Sequence, residues 1–120
     1  MSNILIVDDN EDVRRNIANS LKDKHTVLQA GNGKEAEKIL KTNDIDLIFI
    51  DIVMPGKSGV EFLMESKFSL KDTKIIIITG NISSESQEFV NLTKTLGVDK
   101  ILYKPFKKEE LFNAITEVMS

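Results

Sequence analysis

The chain has 120 residues and a formal net charge of −3, with acidic and basic side chains mixed along its length. That is the size of one domain able to bury a core without staples, and the charge offers no electrostatic case for direct nucleic-acid binding. Without cysteine it has neither disulfides nor thiolate metal sites, and its longest apolar run, "IIII" at 75–78, is far short of the roughly 20 residues that span a bilayer.

The N-terminal "MSNILIVDDN" has neither a basic start nor a long apolar stretch, so no secretory signal is expected and the cytoplasm is the expected location. The first apolar run, "ILIV" (4–7), ends in the adjacent acids Asp8 and Asp9. Val13, Ile17 and Leu21 then repeat every fourth residue, the period of a helix, with Asp9 or Asn10 as its candidate cap. "TVLQA" (26–30) is a second strand, and Ala36, Ile39 and Leu40 form a helical stripe opened by Asn32 and Glu35 as a capping pair. "LIFI" (47–50) ends in Asp51, and Ser58 and Glu61 begin a third helix with Val60, Leu63 and Met64 facing inward. "IIII" ends in Thr79; Phe89, Leu92 and Leu96 mark a fourth helix stopped by Gly97. "ILY" (101–103) ends in Lys104, and Leu111, Phe112, Ile115, Val118 and Met119 give a last helix its apolar face.

The strand runs are continuous rather than alternating, as in parallel strands buried on both faces. Alternation of strand and helix with short links argues a doubly wound α/β domain, a five-stranded parallel sheet with helices on both faces. Right-handed crossovers put every strand-to-helix loop on one edge. By analogy with flavodoxin-like folds the strand order is 2-1-3-4-5, with a ligand expected outside the strand ends near the switch between strands 1 and 3.

That edge collects Asp8, Asp9, Asp51, Thr79 and Lys104. Taken singly each has an ordinary reading: a helix cap, a strand end, a solvated lysine. Together they differ, because three carboxylates at one switch point repel unless a cation or proton intervenes. An all-oxygen, acid-rich site suits a hard ion such as Mg²⁺ or Ca²⁺. Lys104 and Thr79 then suit an anion beside the metal, one by charge and one by hydrogen bond. A metal with a phosphoryl group is the reading that uses all five.

The stretches "ILIVDDNEDVR", "DLIFIDIVMPGKSG", "KIIIITG" and "GVDKILYKPF", in this order and spacing, resemble the receiver domain of bacterial two-component response regulators over essentially the whole chain. The form is similar to the stand-alone kind represented by the chemotaxis response regulator, one receiver domain over 1–120. The resemblance implies a signalling domain rather than an enzyme, one that catalyses only its own phosphorylation and dephosphorylation. It makes Asp51 the phosphoacceptor and places Mg²⁺ on Asp8, Asp9, Asp51 and the Val53 backbone carbonyl, with Asp9 the more direct of the first pair. Thr79 and Lys104 would contact the phosphoryl group. The implied donor is a phosphohistidine on a sensor histidine kinase or a histidine phosphotransfer protein, and the output an unidentified protein target. The family usually has a cis bond at the position of Lys104–Pro105.

One position departs. Where the family often carries Tyr or Phe three residues before the lysine, this chain has Ile101, which by the resemblance would take that residue's place in the switch with Thr79 but offers neither ring nor hydroxyl. Tyr103 is expected on the same side, as packing at the strand end. His25, the sole histidine, reads as a surface residue at the start of the second strand.

Three rivals compete with this reading. A phosphatase of the haloacid-dehalogenase type would carry D-x-D after strand 1, not "DD". A flavin carrier would need a Ser/Thr/Gly loop there, and "DDNED" would repel its phosphate. A receiver degenerated to a docking surface is opposed by the complete acid, Thr and Lys set, although Ile101 keeps it open.

Overall fold

The computed structural model describes residues 2–52, 59–66, 70–80, 91 and 94–120. In chain order these form β1 (Asn3–Val7), α1 (Glu11–Leu21), β2 (Thr26–Ala30), α2 (Gly33–Thr42), β3 (Leu47–Asp51), α3 (Gly59–Glu65), β4 (Lys74–Thr79), β5 (Lys100–Tyr103) and a last helix, Lys108–Met119. The strands make one parallel sheet in the order β2-β1-β3-β4-β5. This is the doubly wound, flavodoxin-like arrangement expected from the continuous apolar runs.

The runs are continuous because both faces are covered. Ile4 and Ile6 join Leu47, Phe49, Ile76, Ile78 and Leu102 under α1 and the last helix. Leu5 and Val7 join Ile48, Ile50, Ile75 and Ile77 under α2, α3 and Leu96. Side chains alternate across a strand, so each run supplies two cores.

Local signals set the helix starts. Asn10 caps α1, its side chain accepting from the amides of Asp12 and Val13. Asn32 caps α2 by accepting from Glu35 N at 2.9 Å, but Glu35 does not complete the expected reciprocal pair; its Oε1 accepts from Gly31 N instead. Gly97, at φ 72°, ends a helical turn at 94–96, as left-handed C-caps do. Phe89 and Leu92 of that expected helix, and Ser58 at the expected start of α3, lie outside the described residues.

In α3 the inward face differs from expectation. Phe62 and Leu63 are buried, whereas Met64 is 60% exposed. At 100° per residue Met64 stands about 200° from Phe62, so a helix that buries the ring must turn Met64 to solvent. Phe112 and Met119 are likewise partly exposed, and Ala114 takes the core side of the last helix with Leu111, Ile115 and Val118. His25 lies just before β2 and is half-buried; its Nδ1 accepts from Ser2 N at 3.2 Å. Burial and the neighbouring charges of the chain's amino terminus and Lys24 lower its pKa. No described helix is long and apolar enough to cross a membrane.

Candidate phosphoacceptor and metal site

The carboxyl ends of β1, β3, β4 and β5 meet at one edge, and the register places what each carries. Val7 is level with Ile50, Asp51 with Ile78, and Thr79 with Tyr103. Asp8 and Asp51 continue the alternation of Ile6 and Phe49, and Lys104 that of Leu102, so these three share the α1 side of the sheet. Thr79 follows Ile77 and belongs to the other side, with Ile101, which packs partly buried against that core. Tyr103 has the parity of Ile101, as expected, but is 41% exposed and so does little packing.

Asp8, Asp9 and Asp51 each present a carboxylate oxygen within 4.8 Å of the others. Asp8 and Asp51 are buried and Asp9 is exposed. The Lys104 ammonium stands 2.8 Å from Asp51 Oδ2 and 2.8 Å from Asp8 Oδ2. Toward Asp51 the contact is a hydrogen bond. Toward Asp8 it has an ion pair's distance without a hydrogen bond's direction, so that oxygen retains an open acceptor position. Burial pulls the Lys104 pKa down, but its contacts with Asp51 and Asp8 outweigh that and raise it. The stabilisation from this pairing is therefore fully present below the ordinary lysine pKa and is lost only as pH rises through the raised one.

The donors suit a hard cation. All are oxygens, one ammonium offsets only one of three acid charges, and Asp9 faces solvent where an ion keeping its waters would enter. Val53, whose carbonyl completes the expected ligand set, lies outside the described residues.

Thr79 is fully buried, and its Oγ1 has no partner among the described residues. A buried hydroxyl left unpaired costs about 1–3 kcal/mol. Thr79→Val, close in shape, is accordingly expected to raise the stability of the metal-free protein by about 1 kcal/mol, read as an upward shift of the thermal midpoint without Mg²⁺. A downward shift would mean that the hydroxyl is already satisfied. Gly80 follows; a Cβ there would meet open space, which leaves an approach past Thr79. The Lys104–Pro105 bond is cis, as the resemblance implied.

Two residues of the site carried no sequence signal. Gly59 begins α3 so close to β3 that a Cβ would lie 2.6 Å from Ile52 Cα and closer still to Asp51 O; in the sequence it is one more glycine of a turn. Arg14 reaches back from α1 to donate from Nη1 to Asp8 O at 2.6 Å; in the sequence it is a helix-surface charge.

Comparison with known proteins agrees with this geometry. The family described as "Response regulator receiver domain" matches residues 4–116. The chemotaxis protein CheY of Halobacterium salinarum is 33% identical over 118 residues, 98% of this chain and 96% of that protein. The CAI-1 autoinducer sensor kinase/phosphatase CqsS of Vibrio cholerae is 33% identical over 113 residues, but the chain spans only 16% of its length. The crystal structure of Vibrio cholerae chemotaxis protein CheY4 superimposes with a TM-score of 0.89 at 29% identity, covering 98% of each chain.

Proposed function

Because this chain belongs to the response regulator receiver domains, the phosphoacceptors of two-component signalling, we propose that Asp51 is its phosphoacceptor and that residues 1–120 work as one receiver unit. The observation that carries the assignment is the Lys104 ammonium bridging Asp51 and Asp8. It supplies positive charge beside the one acid that ends β3, the central strand of the sheet.

A carboxylate attacks phosphorus poorly unless the phosphoryl charge is offset. Lys104 provides part of that charge, and its partial burial strengthens the effect. Asp8, Asp9 and Asp51 would hold Mg²⁺, with the Val53 carbonyl as a further ligand. When bound, Mg²⁺ supplies charge neutralisation at the phosphoryl oxygens. Attack by an Asp51 oxygen forms the new P–O bond as the bond to the donor's leaving atom breaks, leaving an acyl phosphate. The Thr79 hydroxyl, which has no partner among the described residues, is then a donor for a phosphoryl oxygen.

The phosphodonor is a phosphohistidine of a sensor kinase or a phosphotransfer protein. In support, a groove of about 670 Å³ runs from Gly80 and Lys104 between α1 and the last helix, with an apolar floor of Val13, Ile17, Phe106 and Leu111. The domain acts as a catalyst only toward its own phosphorylation and dephosphorylation. Phosphorylation changes the surface shown to a protein target through Thr79 and Ile101. Ile101 shares the face of Thr79 but is stiff about χ1 and smaller than a ring, so strand β5 should move less than in relatives carrying an aromatic there. The segment 81–84, where the larger change is expected, lies outside the described residues.

Intact mass measurement after incubation with Mg²⁺ and acetyl phosphate tests the assignment. One phosphoryl mass should be gained with Mg²⁺ and should not be gained when EDTA is present from the start. No gain, or a gain indifferent to chelation, would sink the proposal.

A further inference from the structure

Arg14 is the one cation besides Lys104 described as touching the acid pair, and the reading above gives it no task. Its Nη1 donates to the backbone carbonyl of Asp8 at 2.6 Å, and its Nε is buried without a partner among the described residues. No carboxylate pairs with it among the described residues. The guanidinium also packs on the loop after β2: Nη1 lies 3.4 Å from where a Gly31 Cβ would stand, and Gly31 is itself held by Glu35.

The turn from β1 into α1 is thus pinned at three points. Asp8 N donates to Ala30 O at 3.2 Å, Asn10 N to Asp8 Oδ1 at 2.9 Å, and Arg14 to Asp8 O. Only the third fixes the peptide plane that joins Asp8 to Asp9. That plane aims the Asp9 side chain, which is exposed and has no hydrogen bond of its own among those described for the turn.

From this we infer that Arg14 is a positioning residue for the divalent cation, holding Asp9 toward Asp8 and Asp51 through the Asp8 carbonyl. The inference rests on the metal reading above. It is separable from electrostatics because the two have opposite signs. As a charge, Arg14 opposes entry of a cation, so deleting it would tighten Mg²⁺ binding. As a clamp, it organises the ligands, so deleting it loosens binding, as loss of an outer-shell partner does by 10- to 100-fold elsewhere.

The experiment is Mg²⁺ titration of the whole chain, by calorimetry and by the Asp9 and Asn10 amide shifts, for wild type, Arg14→Met and Arg14→Lys. Circular dichroism first confirms that each is folded. Met keeps an apolar stem against Gly31 but has no donor. Lys can still reach a carbonyl. Arg14→Met is expected to raise Kd about tenfold, to move the Asp9 amide shift before any Mg²⁺ is added, and to be largely rescued in Arg14→Lys. Binding by folded Arg14→Met as tight as wild type or tighter overturns the inference, and so does a Lys variant no better than Met. Should Arg14→Met fail to fold, Arg14→Lys decides: near wild-type affinity supports the clamp, and a tenfold loss overturns it. A wild type that binds no Mg²⁺ overturns the metal reading itself, and the inference with it.

Discussion

Asp51→Asn is expected to abolish phosphoryl incorporation from acetyl phosphate while leaving the fold intact. The substitution keeps the shape of the side chain at the end of β3 and removes its anionic oxygen. An amide oxygen is a far weaker nucleophile, and no neighbour can replace it. Asp8 is buried under the Lys104 ion pair and a bond from Asn10 N, and Asp9 faces solvent without a hydrogen bond to the ammonium. The loss should therefore be complete within detection rather than partial. Removing one of three clustered carboxylates should also weaken Mg²⁺ binding. Wild-type and variant masses, with circular dichroism to confirm folding, give the answer. A folded Asp51→Asn protein that still gains a phosphoryl mass would move the acceptor to another residue.

The second large effect is expected at Gly59. Its N donates to Ile52 O at 3.3 Å, drawing the start of α3 onto the backbone that follows Asp51. A methyl group there would meet Ile52 Cα at 2.6 Å and the Asp51 carbonyl oxygen even closer. Both are backbone atoms and cannot swing aside as a flexible side chain would. Overpacking of this kind costs typically 1–3 kcal/mol and sometimes more, and for Gly59→Ala we expect the upper end, about 3 kcal/mol. In a domain of this size that is a fall of roughly 10 °C in thermal midpoint. The strain falls on the carbonyl of Asp51, so the surviving folded fraction should also accept phosphate more slowly. A variant melting within a degree or so of wild type would show that α3 can shift freely and that the close approach has no structural role.

Much of this was legible in the residue order. Runs such as "ILIV" and "LIFI" are apolar at every position because each strand feeds two cores, and only a sheet covered on both sides permits that. The right-handed crossover rule then delivers Asp8, Asp9, Asp51, Thr79 and Lys104 to one edge without any knowledge of distances. Composition limits the side-chain donors at that edge to oxygen and the lysine nitrogen, since neither Cys nor a nearby His is there to compete.

Tertiary packing decided the rest. Periodicity leaves the phase of a short helix open: α3 has seven residues, and either Phe62 or Met64 could have faced inward until Phe62 joined the core that Ile48, Ile50, Ile75 and Ile77 of β3 and β4 form. Nothing local distinguishes Arg14 from Arg15, yet one clamps Asp8 O and the other makes an exposed pair with Glu11 four residues earlier. The Glu35 side chain turned from Asn32 to Gly31, a one-residue choice set by where β2 ends. Lys104 meets Asp51 across 53 positions of chain, and Gly59 closely approaches the carbonyl of Asp51. Such contacts depend on where whole elements come to rest against one another. The pattern of residue types along the chain records which faces are apolar, but not which individual atoms those faces bring within reach.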